Sequence, residues 1–465
     1  MQRSKCPRGG YAGKKTALAE DFQRQITEEV EALIGTEAAE HLDFEAIETA
    51  ARREALKVAA YAVARRLNAD RTDHCGPTAP CVCGQPARYA VRHRKCFQTA
   101  LGEMTLERAY YHCRACQQGY FPRDRALGIV NTSLSPALTR MIGLVGAMVS
   151  FEEGAELLGE LAGIRLNAKQ VERTAEALGH EIAADERQRL EPIANDQIAP
   201  TLYLGMDGTG VPMRAAELAG HQGKQPDGSS KTREVKLCTV WSAEGRDAQG
   251  TPVRDEGSIT YSAAIESAAS RDTDTIPSRF AQRVLREAIR RGFERAARQV
   301  VLGDGAPWIW NLADEYLPHA IQIVDRFHAK QHLSDVAKAV YGPSSDLATQ
   351  WARQRHEELD AGQIDKIIAA LALHAKSCTV AAQCIDYLQN NRARMRYHEF
   401  RAQGLCTSSG VVEAGCKLAI GTRLKRAGMH WTLPGANAII ALRCCKLSAR
   451  FADFWEVRAQ RGGTA

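Results

Sequence analysis

No apolar run in this sequence approaches the roughly 18 residues that a membrane-spanning helix requires. Its opening segment, MQRSKCPRGGYAGKK, is basic and glycine-containing but lacks the apolar stretch of a secretory leader. These absences point to a soluble, cytoplasmic protein with no membrane partner. Charge of one sign is also scarce. A net +6 over 465 residues is mild, so any surface for a polyanion must be local rather than global. Cysteine, by contrast, is plentiful. Fourteen cysteines in a chain read as intracellular argue for metal ligation and buried thiols rather than disulfides. Hydrophobic residues make up 45% of the chain, enough to fill the cores of about two to four domains.

Residues 1–70 read as a basic tail followed by helix. Asp43 is a good N-cap, Glu45 and Glu48 lie in the first turn, and Arg65 and Arg66 close the helix before Asn68. Phe44, Ile47, Leu56, Ala59, Ala60, Val63 and Leu67 recur largely at helical spacing. Residues 71–125 read as a zinc-ribbon-like module. Cys81 and Cys83 form one knuckle, Cys113 and Cys116 the other, and a strand-rich segment with a turn at Gly102 separates them. Each knuckle turns two thiolates toward one tetrahedral Zn2+. The C-x-C spacing of the first is tighter than usual, and Cys75, Cys96, His74, His93 and His112 are possible substitute ligands. Residues 126–198 read as a helical, helix-turn-helix-like DNA-binding region. Ser150 and Glu153 make a capping box for a helix with Leu157, Leu158 and Leu161 on its apolar side. Gly163 breaks that helix, and Asn167 caps a second that exposes Lys169, Gln170, Arg173 and Thr174. Such side chains suit major-groove reading, although a plain helical hairpin has the same pattern. The stretch 181–200 reads as a linker.

Residues 199–332 and 401–460 carry a different pattern. In YLGMDGTGVPM (203–213) a strand ends in Asp207, glycines permit a tight turn, and extended structure resumes at Val211. A strand follows at 234–241, and then a helix at 279–297 with Phe280, Val284, Leu285, Ala288 and Ile289 on one face. The strand of RQVVLGDG ends at Asp304, a helix begins near Trp308, and a strand at 319–325 runs into Arg326-Phe327-His328. Three antiparallel strands followed by alternating helices and parallel strands predict an α/β, ribonuclease-H-like catalytic domain. Residues 333–400 read as an all-helical insertion in it. Two strand-end aspartates suggest a divalent-metal site for phosphodiester chemistry. The third carboxylate is assigned to Glu413, in the first turns of a helix among Gly410, Ala414 and Gly415, with Asp325 as its rival. Arg423, Lys425, Arg426, His430 and Trp431 form a basic and aromatic group suited to backbone phosphates and an unpaired base. Lys231, Arg233 and Lys236 extend the same groove.

Taken together, MDGTGVPMR, KTREVKL, LGDGAPWIWN, IVDRFHAKQHL and SSGVVEAGCK followed by GTRLKRAGMHWT resemble the ISKra family of bacterial insertion-sequence transposases, a DDE group related to the Mutator-like elements. The resemblance runs from about Cys81 to Trp455. It implies Asp207, Asp304 and Glu413 as the acidic triad, with an Asp-x-x-His element, Asp325 and His328, beside it. Three such carboxylates would hold two Mg2+ (or Mn2+) ions about 4 Å apart for in-line displacement at phosphorus. The implied partners are double-stranded DNA, as transposon terminal inverted repeats and target, and further copies of the chain in a homodimer or larger assembly on the bacterial nucleoid. A ribonuclease-H-like nuclease without strand transfer, or an inactive or domesticated DNA-binding regulator, remains the alternative.

Overall fold

The computed structural model describes residues 43–223, 225, 230–269 and 276–463, with positions 19–20, 22–24, 26–28 and 30–31. The expected basic tail lies outside the described residues, as does most of the tip of the polar loop between Gly220 and Ser230. The chain divides into two compact units, Met1–Thr174 with Ala452–Ala465, and Ala175–Phe451.

In the first unit, helix α1 (Phe44–Ala69) starts where expected, because the Asp43 carboxylate accepts the Ala46 N–H at 2.8 Å. Its apolar stripe stays largely outside: Phe44 is 76% exposed. The helix is held at its C-terminal end. The Asn68 side chain donates to the Thr105 carbonyl and accepts the Glu107 N–H. An antiparallel sheet follows in the order β1 (Thr78–Pro80), β2 (Pro86–Thr99), β3 (Gly102–His112), β4 (Gly119–Tyr120). The β2–β3 turn needs the positive φ of Gly102, 105°. Buried Asp73 braces the hairpin by accepting both Arg92 and the Ala109 N–H. Four helices come next: α2 (Pro122–Ala126), α3 (Pro136–Met148), α4 (Phe151–Ala162) and α5 (Ala168–Gln188).

The Ser150–Glu153 capping box forms, Gly163 takes φ 69°, and Asn167 and Gln170 cap α5 reciprocally at 2.9 Å. The apolar side of α4 differs from expectation. Gly154, Leu158 and Ala162, spaced by four, face inward toward Leu138, Ile142 and Val171, while Leu161 is 67% exposed. The expected linker differs too. Residues 181–188 continue α5, with Ile182 buried.

The second unit is built on a mixed five-stranded sheet between helices. Its strands are β5 (Thr201–Pro212), β6 (Thr232–Ser242), β9 (Thr260–Ala264), β10 (Arg298–Gly303) and β11 (Ile321–Val324), in the order β11-β10-β5-β6-β9. A two-residue hairpin pair, β7 (Gly245–Arg246) and β8 (Pro252–Val253), lies between β6 and β9 in sequence. The β5–β6 and β6–β9 pairs are antiparallel; β10 runs parallel to both β5 and β11. From Val235 onward β6 is buried on both pleats, as a sheet covered by helices on two sides requires. Helix α6 (Arg279–Arg291) and α7 (Pro307–Tyr316) supply one cover. On α6, Phe280, Val284 and Ala288 are buried as expected, but so are Arg283 and Glu287. Glu287, with no exposed surface, accepts Thr260 and Arg450, and Arg283 bonds Glu266. The expected all-helical segment comprises α8 (Arg326–Tyr341), α9 (Asp346–Asp360), α10 (Ile364–Ala372), α11 (Thr379–Asn390) and α12 (Tyr397–Ala402). The chain then returns through α13 (Gly410–Gly415), a π-helical turn at Cys416–Gly421, α14 (Thr422–Leu424) and α15 (Leu433–Leu447); α16 (Phe451–Gly463) belongs to the first unit from Ala452 onward. Among the described residues no helix is long and apolar enough to cross a membrane.

One expectation about β5 is corrected. There is no turn after Asp207; the strand runs unbroken through Gly208 and Gly210. Both glycines lie against side chains of the next strand. A Cβ on Gly208 would lie 2.4 Å from the Glu234 carboxylate, and one on Gly210 would lie 2.8 Å from the Thr232 hydroxyl. The third antiparallel strand is therefore β9, which went unread in the sequence.

Candidate functional site

The strand registers bring the candidate carboxylates together. On one side β5 pairs with β6 along its whole length, but on the other β10 covers it only from Thr201 to Gly205. Leu302 pairs with Gly205 and Gly303 with Val324. Continuing those registers past the strand ends puts Asp207, Asp304 and Asp325 at one level on three neighbouring strands. The open edge of β5 resumes contact at Pro212 and Arg214, which bond the backbone of Trp431. Asp207 thus sits on a rigid strand beside an unpaired stretch of its edge, between the end of β10 and the segment around Trp431.

Each carboxylate has a distinct environment. Burial pushes Asp207 above the usual carboxylate range, and the neighbouring charge of Asp304 adds to the rise; the Cys416 thiol and the Gly208 N–H oppose it. Asp304 caps its own loop, with Oδ1 accepting the Ala306 N–H at 2.9 Å. Asp325 is 2% exposed and fully engaged as the N-cap of α8, accepting the His328 N–H at 2.8 Å and, through its other oxygen, the Ser409 N–H. It fastens the end of β11 to the residue that begins α13. His328, exposed on the first turn of α8, acts electrostatically on both Asp207 and Glu413.

Glu413 reaches this region because α13 lies close on the sheet. A Cβ on Gly205 would come 2.1 Å from Val412 Cγ2, and one on Gly415 would come 3.0 Å from the Tyr261 ring. The strand glycine and the helix glycine together create the room. The Glu413 carboxylate itself is exposed and bonds Lys417 at 2.7 Å, which pulls it below the usual glutamate range. Among the described residues, the three acidic side chains do not form a group placed to hold a metal ion together.

The cysteine cluster does. The four Sγ atoms of Cys81, Cys83, Cys113 and Cys116 lie within 4.8 Å of one another, with Cys81–Cys116 and Cys83–Cys113 both at 3.6 Å. A tetrahedron with Zn–S bonds of about 2.3 Å has edges of about 3.8 Å. The Cys116 backbone N–H brings the Cys113 thiol down to about 7, whereas Cys116, although the Gln118 N–H lowers it, is pushed up by burial and by the neighbouring thiols. Four cysteines in this arrangement can hold a metal such as zinc, and the C-x-C spacing does not prevent it. Cys75, Cys96, His74, His93 and His112 are not part of the cluster.

The residues expected at a DNA surface separate into two groups. Lys169, Gln170 and Arg173 are exposed on α5, but the Gln170 side chain is spent on the Asn167 cap and Lys169 pairs with Glu172. Lys231, Lys425 and Arg426 are exposed, Arg233 is half-buried, and Lys425 bonds the Thr209 hydroxyl two residues beyond Asp207. Arg423 and Trp431 turn inward instead. Arg423 has no exposed surface and stacks on the Trp431 ring at 5.3 Å, and the indole N–H donates to the Leu424 carbonyl. A tryptophan so enclosed supplies packing, not a platform for a base. Lys236 is 9% exposed, paired with Glu234 and lying over Trp308.

Sequence reasoning missed Cys416, Glu234 and Tyr387. Cys416 follows Glu413 by three residues, a spacing that puts both on one side of a helix. Nothing in the pattern marked Tyr387, whose hydroxyl donates to the Asp304 carbonyl at 3.2 Å.

Residues 85–458 match the uncharacterised protein family UPF0236, and the chain belongs to that family. A search of curated proteins finds no match. Among solved structures, a chain of the Drosophila P element transposase strand transfer complex aligns over 72% of this chain and 83% of its own, at 10% identity and a TM-score of 0.24. A likeness that slight carries no functional weight.

Proposed function

We propose that this UPF0236 protein is a DNA transposase of the DDE type that binds transposon ends and cleaves and joins DNA strands, with a ribonuclease-H-like catalytic domain, as its resemblance to ISKra-family transposases implies. The observation that carries the reading is the level placement of Asp207 and Asp304 beside the open edge of β5, with α13 bringing Glu413 over the same strand. The sheet order, with β5 central and three antiparallel strands followed by two parallel ones, also supports it.

The donor set suits Mg2+ or Mn2+. Its ligands are hard carboxylate oxygens, and the ionised form of Asp207 is penalised by burial and by Asp304 until a cation balances it. Divalent ions held by Asp207, Asp304 and Glu413 would polarise phosphoryl oxygens and strengthen an oxygen nucleophile. The protein's own part is placement. Asp207 is fixed by strand pairing and Asp304 by its capped loop. Glu413 must leave Lys417, and an exposed i,i+4 pair costs only about 0.5 kcal/mol to break. Lys417 would then be free for a phosphate, beside Lys425 and Arg426. Asp325 acts through backbone amides and orients the α8 turn that presents His328. In the first unit, the cysteine cluster is read as a zinc-ribbon-like module, and the α4–α5 pair, with Arg173 and Lys169, as a DNA-reading one.

A labelled duplex carrying the DNA that flanks this protein's own coding sequence tests the reading, incubated with the full chain, Mg2+ and a target plasmid. Strand joining supports a transposase. Cleavage without joining makes the protein a nuclease, and binding alone makes it a regulator.

A further inference from the structure

The helical segment α8–α12 is inserted in the sequence between Asp304 and Glu413, and besides His328 a side chain from deep within it, Tyr387, reaches the candidate site. The loop after β10 places Gly305 at φ 99°, and a Cβ there would lie 2.5 Å from the Tyr387 ring and 3.0 Å from its hydroxyl. That ring, from α11, therefore lies directly on the glycine. Its hydroxyl donates to the Asp304 carbonyl at 3.2 Å. The other end of the same loop is closed by the Ala306 N–H on the Asp304 carboxylate.

We propose that Tyr387 is a positioning residue through which the helical insertion holds the Asp304 loop in its ligating geometry. The inference rests on the assignment of Asp304 to the metal-binding carboxylates. Two features make Tyr387 a firm strut rather than a passing contact. Ala381, Cys384 and Leu388 of α11 are each no more than 3% exposed, so the helix cannot shift without unpacking. His332 of α8 covers the ring, with centroids 4.2 Å apart. Gly305 supplies both the positive φ of the turn and the space for the ring.

The test compares Tyr387→Phe, which keeps the ring and removes only the hydroxyl, with the wild-type full chain. Tyr341→Phe is the control. It removes a hydroxyl of the same insertion that bonds His374 rather than the loop. The readouts are Mn2+ affinity by electron paramagnetic resonance, amide exchange of the peptide spanning Asp304–Ala306, and the melting temperature. Loss of one hydrogen bond of ordinary net strength corresponds to about a three- to tenfold change. Tyr387→Phe should bind Mn2+ about three- to tenfold more weakly and exchange the loop amides correspondingly faster. Its melting temperature should stay within about 2 °C of wild type, and Tyr341→Phe should change none of the three readouts at this site. Cleavage by Tyr387→Phe should recover as Mn2+ is raised, which a damaged fold would not do. Wild-type affinity and exchange in Tyr387→Phe would overturn the inference, as would a loss of affinity that merely follows a fall in melting temperature. If the wild-type chain itself retains no Mn2+, the carboxylate assignment fails, while amide exchange still decides whether Tyr387 fixes the loop.

Discussion

Replacing Gly205 by alanine adds one methyl group at the point where α13 rests on β5. The new Cβ would sit 2.1 Å from Val412 Cγ2 and 2.9 Å from Trp241 Cζ3, well inside contact distance, so helix and strand must part. Gly205 has no positive φ, and the cost is therefore overpacking rather than backbone strain. We expect about 1–3 kcal/mol of destabilisation, partly offset by roughly 0.4–1 kcal/mol from a less flexible unfolded chain. The effect on the site should exceed the effect on stability, because Glu413 directly follows Val412 and moves with it. Val412→Ala alone opens a cavity and should cost about 1–3 kcal/mol. Combined with Gly205→Ala, it removes the methyl that clashes. The double variant should then be more stable than the sum of the singles by about 1 kcal/mol or more and should regain part of the lost DNA cleavage. Recovery should be incomplete, since Trp241 remains in the way. Urea denaturation of the four proteins measures the coupling, and metal-dependent cleavage follows Glu413. Additive stabilities, or a neutral Gly205→Ala, would refute the claim that close packing through Gly205 places the third carboxylate.

Three further outcomes are expected from the same structure. Asp325→Asn should cost about 1–3 kcal/mol of stability, because an amide cannot accept both the His328 and Ser409 N–H groups, and should leave Mn2+ affinity of the folded fraction near wild type; a metal-binding loss without a stability loss would make Asp325 the third ligand instead of Glu413. Burial alone would raise Asp360, but hydrogen bonds from Arg326 and Lys330 bring it down to about 2, so its contribution, up to about 2 kcal/mol, is present above pH ~4 and disappears as pH falls toward 2; acid unfolding of Asp360→Asn should lack that part of the slope. Protein purified without chelator should carry close to one zinc per chain, and Cys113→Ser should lower both the zinc content and the heat stability of the first unit; full stability with no zinc would mean that the hairpin folds on its apolar contacts alone.

The sequence made the ends of elements legible where side chains cap the backbone locally. Asp43, Ser150 with Glu153, Gly163 and Asn167 all act where the residue pattern put them. Asp304 could be read for a similar reason, since an apolar run stopping at it is a local signal, whereas Asp207, expected at a strand end, lies mid-strand. Features settled by distant neighbours were hidden. Gly208 and Gly210 looked like a turn because glycine permits one, whereas their true neighbours, Glu234 and Thr232, lie on the next strand. Arg423 looked like a phosphate contact because arginine is usually outside, yet it is enclosed with Trp431. Which of Leu157, Leu158 and Leu161 on α4 turns inward could be resolved only by the partners of that face, Leu138, Ile142 and Val171. Buried Glu287 and Arg283 could not be foreseen from periodicity, since the groups that balance them, Arg450 and Glu266, lie elsewhere in the chain.

The central claim is that Asp207, Asp304 and Glu413 work together on DNA through a divalent cation. The most direct measurement is cleavage of a labelled duplex carrying the DNA that flanks this protein's coding sequence, with Mg2+ or Mn2+ supplied or chelated. Wild type is compared with Asp207→Asn, Asp304→Asn and Glu413→Gln, each checked for wild-type melting and duplex binding. The account requires cleavage by wild type only when metal is present, and at least a hundredfold loss in every amide variant, roughly 2.7 kcal/mol of transition-state stabilisation, with binding nearly intact. Cleavage that survives in any one of the three folded variants, or that proceeds without metal, would contradict it.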